Sequence, residues 1–260
     1  MNDNLWLHRY MSYERLKDWI EDRKFVLRFS RMDQLDDPLE GWEIDPPEIL
    51  QIIVRTLRYY NRVIQNNGQF EGQKNLIKEQ IRLALIPNYK NISVDDIYSK
   101  LLEYRNVLLN HHVSCWFMSN SQETEERYMW DLYAKSKSEN NCIILSIRWS
   151  DLIESLEDIK GVTSDKIDYI PNSKKPIIFR KHKSYQHEKE YIIIHNEMSG
   201  IYNGIMLEKE FFKYITINES FSNSKKTELE NNIDPKYFII RRSKLTPQIR
   251  LSDIKHIIKD

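Results

Sequence analysis

Two glutamates stand two residues apart just before an apolar run in the last third of the chain. Glu188 and Glu190 lie in the segment Tyr-Gln-His-Glu-Lys-Glu-Tyr at residues 185–191, which leads into three isoleucines. If a strand begins here, the alternation of side chains puts both carboxylates on one face. Such a pair could act as acid and base, or stabilise the oxocarbenium ion that forms when a glycosidic bond breaks. The alternative is the solvated start of an edge strand, where charges deter pairing with other chains.

A basic segment precedes these carboxylates. Its positive residues are Lys174, Lys175, Arg180, Lys181 and Lys183, with His182 among them. A run of this kind could hold the phosphates of a cofactor or of a nucleic acid. The alternative is a solvated loop, because most charge runs on protein surfaces bind nothing.

Two arginines lie beside or within predicted strands near the start of the chain. Arg9 stands beside the first strand and Arg28 within the second. An arginine held in a sheet usually needs an anion. That anion is either an internal carboxylate, such as Asp37 or Glu40, or the phosphate of a ligand.

Two aromatic residues share one face of a helix predicted at residues 123–135. Trp130 and Tyr133 are three residues apart, and their rings could stack on a planar group such as nicotinamide or a base. Aromatic residues at helical spacing also pack into cores, and the sequence leaves both interpretations open for Trp130.

The remaining candidates for chemistry argue against a metal site. His111 and His112 are adjacent, so their rings diverge in a strand, and no third ligand accompanies them. Cys115 is flanked by strand residues and is expected to be a small buried apolar group. No metal is therefore expected. The chain, which has six glycines, also has no Gly-rich dinucleotide-binding or P-loop motif.

Composition indicates a folded cytoplasmic protein. The 260 residues are 40% hydrophobic and 12% aromatic, and 39 basic residues balance 39 acidic ones. This balance argues against a surface that binds nucleic acid throughout, although a local basic patch is compatible with it. No apolar run approaches the length of a membrane-spanning helix, and the first residues do not resemble a signal peptide. We expect no membrane association.

The elements that must position these residues indicate an α+β fold. Near the start we expect a strand through residues 5–10, a helix over residues 13–23 capped by Ser12, and a strand at residues 25–30. The pattern is then helical over residues 46–110, with a cap at Ser93, and predicts an inserted helical lobe. The later strands are predicted at residues 113–119, 142–147, 166–170, 191–195, 212–217 and 237–240. Residues 220–232 are polar and predict a loop.

In this order, five segments resemble the bacterial family DUF2971, whose function is unknown. They are residues 6–12 (Trp-Leu-His-Arg-Tyr-Met-Ser), residues 29–41 from Phe-Ser-Arg-Met-Asp to Asp-Asp-Pro-Leu-Glu-Gly, Ser-Cys-Trp at 114–116, residues 129–134 (Met-Trp-Asp-Leu-Tyr-Ala) and residues 187–191. The resemblance covers most of the chain outside the helical lobe and implies a single domain over residues 1–260. One departure is that the family often has arginine after the final aromatic residue, where this chain has Ile192.

A second resemblance concerns the fold. The opening strand, helix and strand, followed much later by a glutamate on a strand, look like ADP-ribosyltransferases, whose core is a split mixed sheet. The resemblance implies NAD⁺ as co-substrate, with Arg9 or His8 on its phosphate or ribose. Ser30 would shape the nicotinamide-ribose pocket, and Tyr133 or Trp130 would stack on nicotinamide.

The same resemblance assigns the two glutamates. Glu190 would bind the ribose 2′-hydroxyl and stabilise the oxocarbenium ion, and Glu188 would orient the acceptor. Arg28 and Lys183 join the predicted NAD⁺-binding set because their charges suit phosphates.

The implied function is transfer of ADP-ribose to a nucleic acid or protein, in a toxin or antiviral effector. Two alternatives stay open. One is a nucleic-acid-binding or processing effector that uses residues 180–183 with Arg55, Arg58 and Arg62. The other is an interaction module whose helical lobe binds a regulatory protein.

Overall fold

The computed structural model describes residues 4–35, 74–85, 93–126, 129–130, 141–170, 174–181, 183–200, 202–207, 210–218 and 221–245. The chain forms two compact units. The first comprises residues 1–27, 116–158 and 205–260, and the second comprises residues 28–115 and 159–204.

Ten strands and five α-helices make up the described part. The strands are β1 (Trp6–Ser12), β2 (Ile20–Glu21), β3 (Lys24–Arg31), β4 (His112–Ser119), β5 (Cys142–Arg148), β6 (Val162–Lys166), β7 (Glu190–His195), β8 (Tyr202–Met206), β9 (Lys213–Ile217) and β10 (Phe238–Arg242). The helices are α1 (Tyr13–Lys17), α2 (Lys74–Leu85), α3 (Val94–Asn110), α4 (Trp149–Glu154) and α5 (Asn223–Asn232). Short 3₁₀ helices form at Met32–Gln34, Ile177–Phe179 and Lys183–Glu188. The α+β class is confirmed, and the sheet is mixed because β9 and β10 run parallel while the other registered pairs are antiparallel.

The first unit is built around β5. Six of the seven β5 residues are buried, which fits a strand with apolar side chains on both faces. It pairs with β1 on one side and β9 on the other, and β10 continues the sheet beyond β9. Leu7 of β1, Leu145 of β5 and Ile215 of β9 are fully buried, so this sheet supplies much of the core of the unit.

The helix predicted over residues 13–23 is wrong in its extent. Ser12 caps α1 as expected, accepting a hydrogen bond from the Arg15 amide, but the helix ends at Lys17. Asp22 and Arg23 adopt positive φ angles of 49° and 64° and form the turn of a hairpin between β2 and β3. Both residues tolerate this conformation at a cost of about 1 kcal/mol each, which the hairpin offsets.

The second unit packs α2 and α3 against strands. Ser93 caps α3 by accepting from the Asp96 amide, as predicted. The buried residues of this core share one apolar cluster: Ile77 and Ile81 of α2, Leu101 and Leu108 of α3, Val113 of β4, and Ile192 and Ile194 of β7. The helical residues therefore do not form a core of their own. Residues 46–73 of the predicted lobe lie outside the described residues.

Strands in the second unit bring the glutamate segment into this core. β7 pairs antiparallel with β6, from Val162 opposite His195 to Lys166 opposite Tyr191, and also pairs with β4. In the same unit, β3 pairs antiparallel with β4, and Ser30 lies opposite Val113.

Two further expectations need correction. The strand predicted at residues 166–170 is displaced, because the observed strand is β6 at Val162–Lys166. Beyond it, Asp168 forms only an isolated bridge with Arg180. The polar segment predicted as a loop contains α5, which Ser222 caps and which buries a single residue, Leu229. A helix anchored at one position has no apolar stripe for sequence analysis to detect. The strands at residues 25–30, 113–119, 142–147, 191–195, 212–217 and 237–240 are confirmed to within about two residues at each end.

Within the described residues, every helix is too short or too polar to cross a bilayer.

Candidate functional site

A buried lysine joins the two predicted glutamates. The Lys181 side chain is 3% exposed, and its Nζ lies 2.5 Å from Glu190 Oε2 and 3.2 Å from Glu188 Oε2. The glutamates themselves remain 15% and 22% exposed. We call Lys181, Glu188, Glu190 and Tyr169 the Lys181 cluster. It brings together both predicted catalytic residues and a lysine of the basic segment.

The backbone between the glutamates explains how they converge, and it corrects the argument from strand alternation. Glu188 ends the 3₁₀ helix, whereas Glu190 begins β7. Lys189 between them has a positive φ of 45°, a conformation that costs a non-glycine residue of order 1 kcal/mol. The two carboxylates therefore meet because the chain turns sharply at Lys189 and both contact the same ammonium group.

Tyr169 holds the start of β7 in place. Its hydroxyl oxygen accepts a hydrogen bond of 3.0 Å from the Glu190 amide. Burial raises the pKa of Tyr169 well above its ordinary value, and the negative charges of Glu190 and Glu188 raise it further. The phenol therefore stays protonated across the physiological range.

A single buried ammonium group contacts both carboxylates of the cluster. The side chains of Glu188 and Glu190 are 22% and 15% exposed, and the Oε2 atom of Glu190 is itself buried. The Lys181 ammonium also lies 5.7 Å from the centroid of the Tyr185 ring, which adds a cation–π contact. A carboxylate fixed in place by a lysine can stabilise a positive charge that develops on a substrate.

The rest of the basic segment is largely engaged within the protein. Lys175 lies 2.7 Å from Asp165 and donates to the Lys166 carbonyl oxygen. Arg180 donates to the Lys175 carbonyl oxygen. Lys174 and Lys183 are exposed. The segment therefore contributes less free positive charge than its composition suggests, and His182 lies outside the described residues.

His8, one of the two predicted first-strand contacts, is fully buried in the first unit. Its Nε2 lies 3.1 Å from the Ser121 carbonyl oxygen, which can only accept, so Nε2 carries the proton. Nδ1 then accepts from the Ser146 hydroxyl at 2.8 Å. Burial lowers the pKa of His8 to about 4, because the charged imidazolium would lose its hydration. The imidazole is thus a neutral internal group whose two nitrogens already have partners.

The other predicted NAD⁺-binding residues of the first unit are also packed. The Arg9 guanidinium lies 4.9 Å from the centroid of the Trp19 ring. Trp130 is 8% exposed and contacts Tyr10 edge to face, with 5.7 Å between ring centroids. Of the two interpretations of Trp130, the structure shows the core one. Tyr133 lies outside the described residues.

In the second unit, Ser30 is 7% exposed on β3 and Arg28 is half-buried on the same strand. Asp37 and Glu40, proposed as internal partners for these arginines, lie outside the described residues. Arg31, which sequence analysis did not single out, also makes a carboxylate contact. Arg31 binds Asp33 through two hydrogen bonds of 2.7 and 3.0 Å, and the Asp33 side chain is 1% exposed.

No group of three or more histidine, cysteine, aspartate or glutamate side chains is placed to hold a metal ion within the described part of the chain. Cys115 is a half-buried thiol outside any disulfide, rather than the fully buried group expected. Cys142 is buried, and burial raises its pKa to about 12. Cys142 therefore lacks the environment of an activated nucleophile.

Lys181 and Tyr169 are the members of the cluster that sequence analysis did not assign. Lys181 is one of the five basic residues of the segment, and Tyr169 lies in a predicted strand, so no feature of the sequence distinguished either residue from its neighbours. Comparison of the chain with protein-family models, curated proteins and solved structures finds no match. The resemblances to DUF2971 and to ADP-ribosyltransferases therefore stay predictions.

Proposed function

We propose that this chain cleaves NAD⁺ and transfers ADP-ribose to a nucleic acid or protein, as an ADP-ribosyltransferase-like effector in toxin activity or antiviral defence. The observation that supports the proposal is the convergence of Glu188 and Glu190 on one buried ammonium group. Glu190 lies 2.5 Å from the Lys181 ammonium and its side chain remains 15% exposed. A carboxylate in this position suits a reaction that creates positive charge.

The reaction breaks the bond between ribose C1′ and the nicotinamide nitrogen. The bonding electron pair leaves with nicotinamide, and positive charge develops on C1′ and the ring oxygen. Glu190 stabilises this charge, and Glu188 accepts the proton of the acceptor nucleophile as its bond to C1′ forms. Lys181 is a positioning residue, because it fixes both carboxylates without contacting the reacting atoms.

The alternative of a nucleic-acid-binding effector has less support. Lys175, Arg180 and Lys181 of the basic segment make internal contacts, and Arg55, Arg58 and Arg62 lie outside the described residues. We therefore place the function at the carboxylates rather than at the cations.

The test compares Glu190→Gln and Glu188→Gln with a matched control, Glu197→Gln. Glu197 also pairs with a lysine in the same unit, Lys160 at 3.2 Å, but both side chains are exposed. Each protein is incubated with biotin-labelled NAD⁺ and cell lysate, and label is measured in the protein, DNA and RNA fractions beside released nicotinamide.

Loss of charge stabilisation in the transition state typically costs a few kcal/mol, so Glu190→Gln should lower NAD⁺ cleavage about 100-fold or more. Glu188→Gln should reduce transfer more than nicotinamide release, and Glu197→Gln should behave as the unmodified protein. Unchanged turnover in a folded Glu190→Gln variant would refute the assignment, as would the absence of label and nicotinamide with the unmodified protein.

A further inference from the structure

Two exposed lysines flank the candidate glutamates in the second unit. Lys183 is the first residue of the 3₁₀ helix that Glu188 ends, and Lys189 lies between Glu188 and Glu190 at the turn into β7. Both lysines are exposed, and within the described part of the chain neither side chain makes an ion pair or a hydrogen bond. Two positive charges therefore lie near the carboxylates in addition to the buried charge of Lys181.

The backbone at Lys189 indicates that its charge has a use. Its φ of 45° lies in the left-handed region, which glycine and asparagine adopt more readily than lysine does. A lysine at this position is therefore a poor choice for folding alone. The residue is exposed, so apolar burial does not explain the choice either.

We propose that the acceptor of ADP-ribose is a nucleic acid, whose phosphates bind Lys183 and Lys189. The inference rests on the proposed function, because the acceptor must lie where Glu188 can take its proton. A strand brings one negative charge per nucleotide towards Glu188 and Glu190, and the two ammonium groups offset the repulsion between phosphates and carboxylates. Lysine binds phosphate as a point charge, without regard to base sequence. A protein carries no such regular array of negative charge, so this pair of cations favours nucleic acid over protein as the acceptor.

The transfer step is the one proposed for the glutamates, with a nucleic acid as the nucleophile. A nitrogen or hydroxyl group of the bound strand forms a bond to ribose C1′, and its proton passes to Glu188. Nicotinamide leaves with the electron pair of the broken C1′–N bond. Lys183 and Lys189 contact only the phosphates, so they determine which acceptor is used without taking part in bond breaking.

Strand binding is measured first without NAD⁺, by the fluorescence anisotropy of a labelled single strand of about 12 nucleotides of DNA or RNA. The variants are Lys183→Gln and Lys189→Asn in the full chain. Each lost phosphate contact should lower the slope of log K against log salt by about 0.7, which weakens binding about fivefold at roughly 0.1 M salt. Asparagine adopts positive φ readily, so the Lys189→Asn protein should unfold at the same temperature or higher, and unfolding cannot explain its weaker binding.

The matched control is Lys160→Gln, which also removes one lysine charge from the second unit. Lys160 is 87% exposed and precedes β6, whose Val162 lies opposite His195. His195 ends β7, which Glu190 begins, and the length of this strand is about 17 Å, about twice the screening length at physiological salt. The Lys160→Gln protein should therefore bind the strand as the unmodified protein does.

Transfer is then measured with biotin-labelled NAD⁺ and cell lysate. We expect label mainly in the DNA or RNA fraction, and less of it there with Lys189→Asn. Equal strand binding by the variants and the unmodified protein, or label confined to the protein fraction, would overturn the assignment of the acceptor while NAD⁺ cleavage stands. Absence of released nicotinamide with the unmodified protein would instead refute the proposed function and the acceptor assignment with it. Strand binding through the two lysines would in that case identify a nucleic-acid-binding protein.

Discussion

Replacing Lys181 by methionine tests whether the glutamates depend on a buried cation. The substitution keeps an unbranched apolar side chain but removes the Lys181 ammonium group that both Glu188 and Glu190 contact. Removing one partner of a fully buried ion pair typically costs about 3–5 kcal/mol. Here the lysine is 3% exposed but the carboxylates are 15% and 22% exposed, so solvent screens part of the repulsion. We expect a loss of about 2–3 kcal/mol in the free energy of unfolding.

Urea denaturation at pH 7 measures this loss, with Lys175→Met as the matched control. Lys175 pairs with Asp165 at 2.7 Å, but those side chains are 31% and 46% exposed, and an exposed pair of this kind contributes at most about 1 kcal/mol. Adding Glu190→Gln to Lys181→Met should recover part of the loss, since one of the two facing charges is then gone. If Lys181→Met proves as stable as Lys175→Met, the cluster is not held by charge, and our account of how Glu190 is positioned fails.

Two further predictions concern stability. The pKa of His8 falls from 6.5 in the unfolded chain to about 4 in the folded protein. Between these pH values the unfolded state binds a proton that the folded state does not. The contribution of His8 to stability is therefore complete above pH 6.5 and declines by up to about 3 kcal/mol towards pH 4. In His8→Gln this decline should be smaller when urea unfolding is compared at pH 7 and pH 4.5; an identical decline would show that His8 is not its source. Gly161→Ala should cost more than Gly200→Ala in thermal unfolding. Both glycines have positive φ, but only at Gly161 does an added Cβ come within 2.9 Å of another side chain, that of Glu197, so equal costs would contradict the argument from crowding.

Much of the fold follows from local patterns in the sequence. Ser93 and the apolar spacing that follows it predict α3, and the apolar run of β5 predicts a buried strand. Sequence patterns failed to predict the secondary structure where one or two residues decide it. The turn at Asp22 and Arg23 requires positive φ without glycine, and α5 depends on one buried leucine, Leu229.

The candidate site shows the same division. The spacing of Glu188 and Glu190 identified a pair of carboxylates that does converge, although through the turn at Lys189 rather than through strand alternation. Lys181 is distinguished from the other charges of the basic segment by its burial, with 3% of its side chain exposed, and the sequence pattern does not show this burial. His8 is a second residue whose burial the sequence pattern does not show, because this polar side chain near the start of the chain is internal.

The contact between His8 and Ser146 has a consequence for how the first sheet aligns. β5 is apolar at nearly every position, so apolar burial alone distinguishes poorly between neighbouring alignments of β1 and β5. His8 stands opposite Ser146, and a slip of one residue would place the imidazole opposite Leu145 or Ile147. Its nitrogen would then be buried without a partner, at a cost of about 1–3 kcal/mol. One polar pair in an apolar strand thereby selects a single register and disfavours misaligned states during folding.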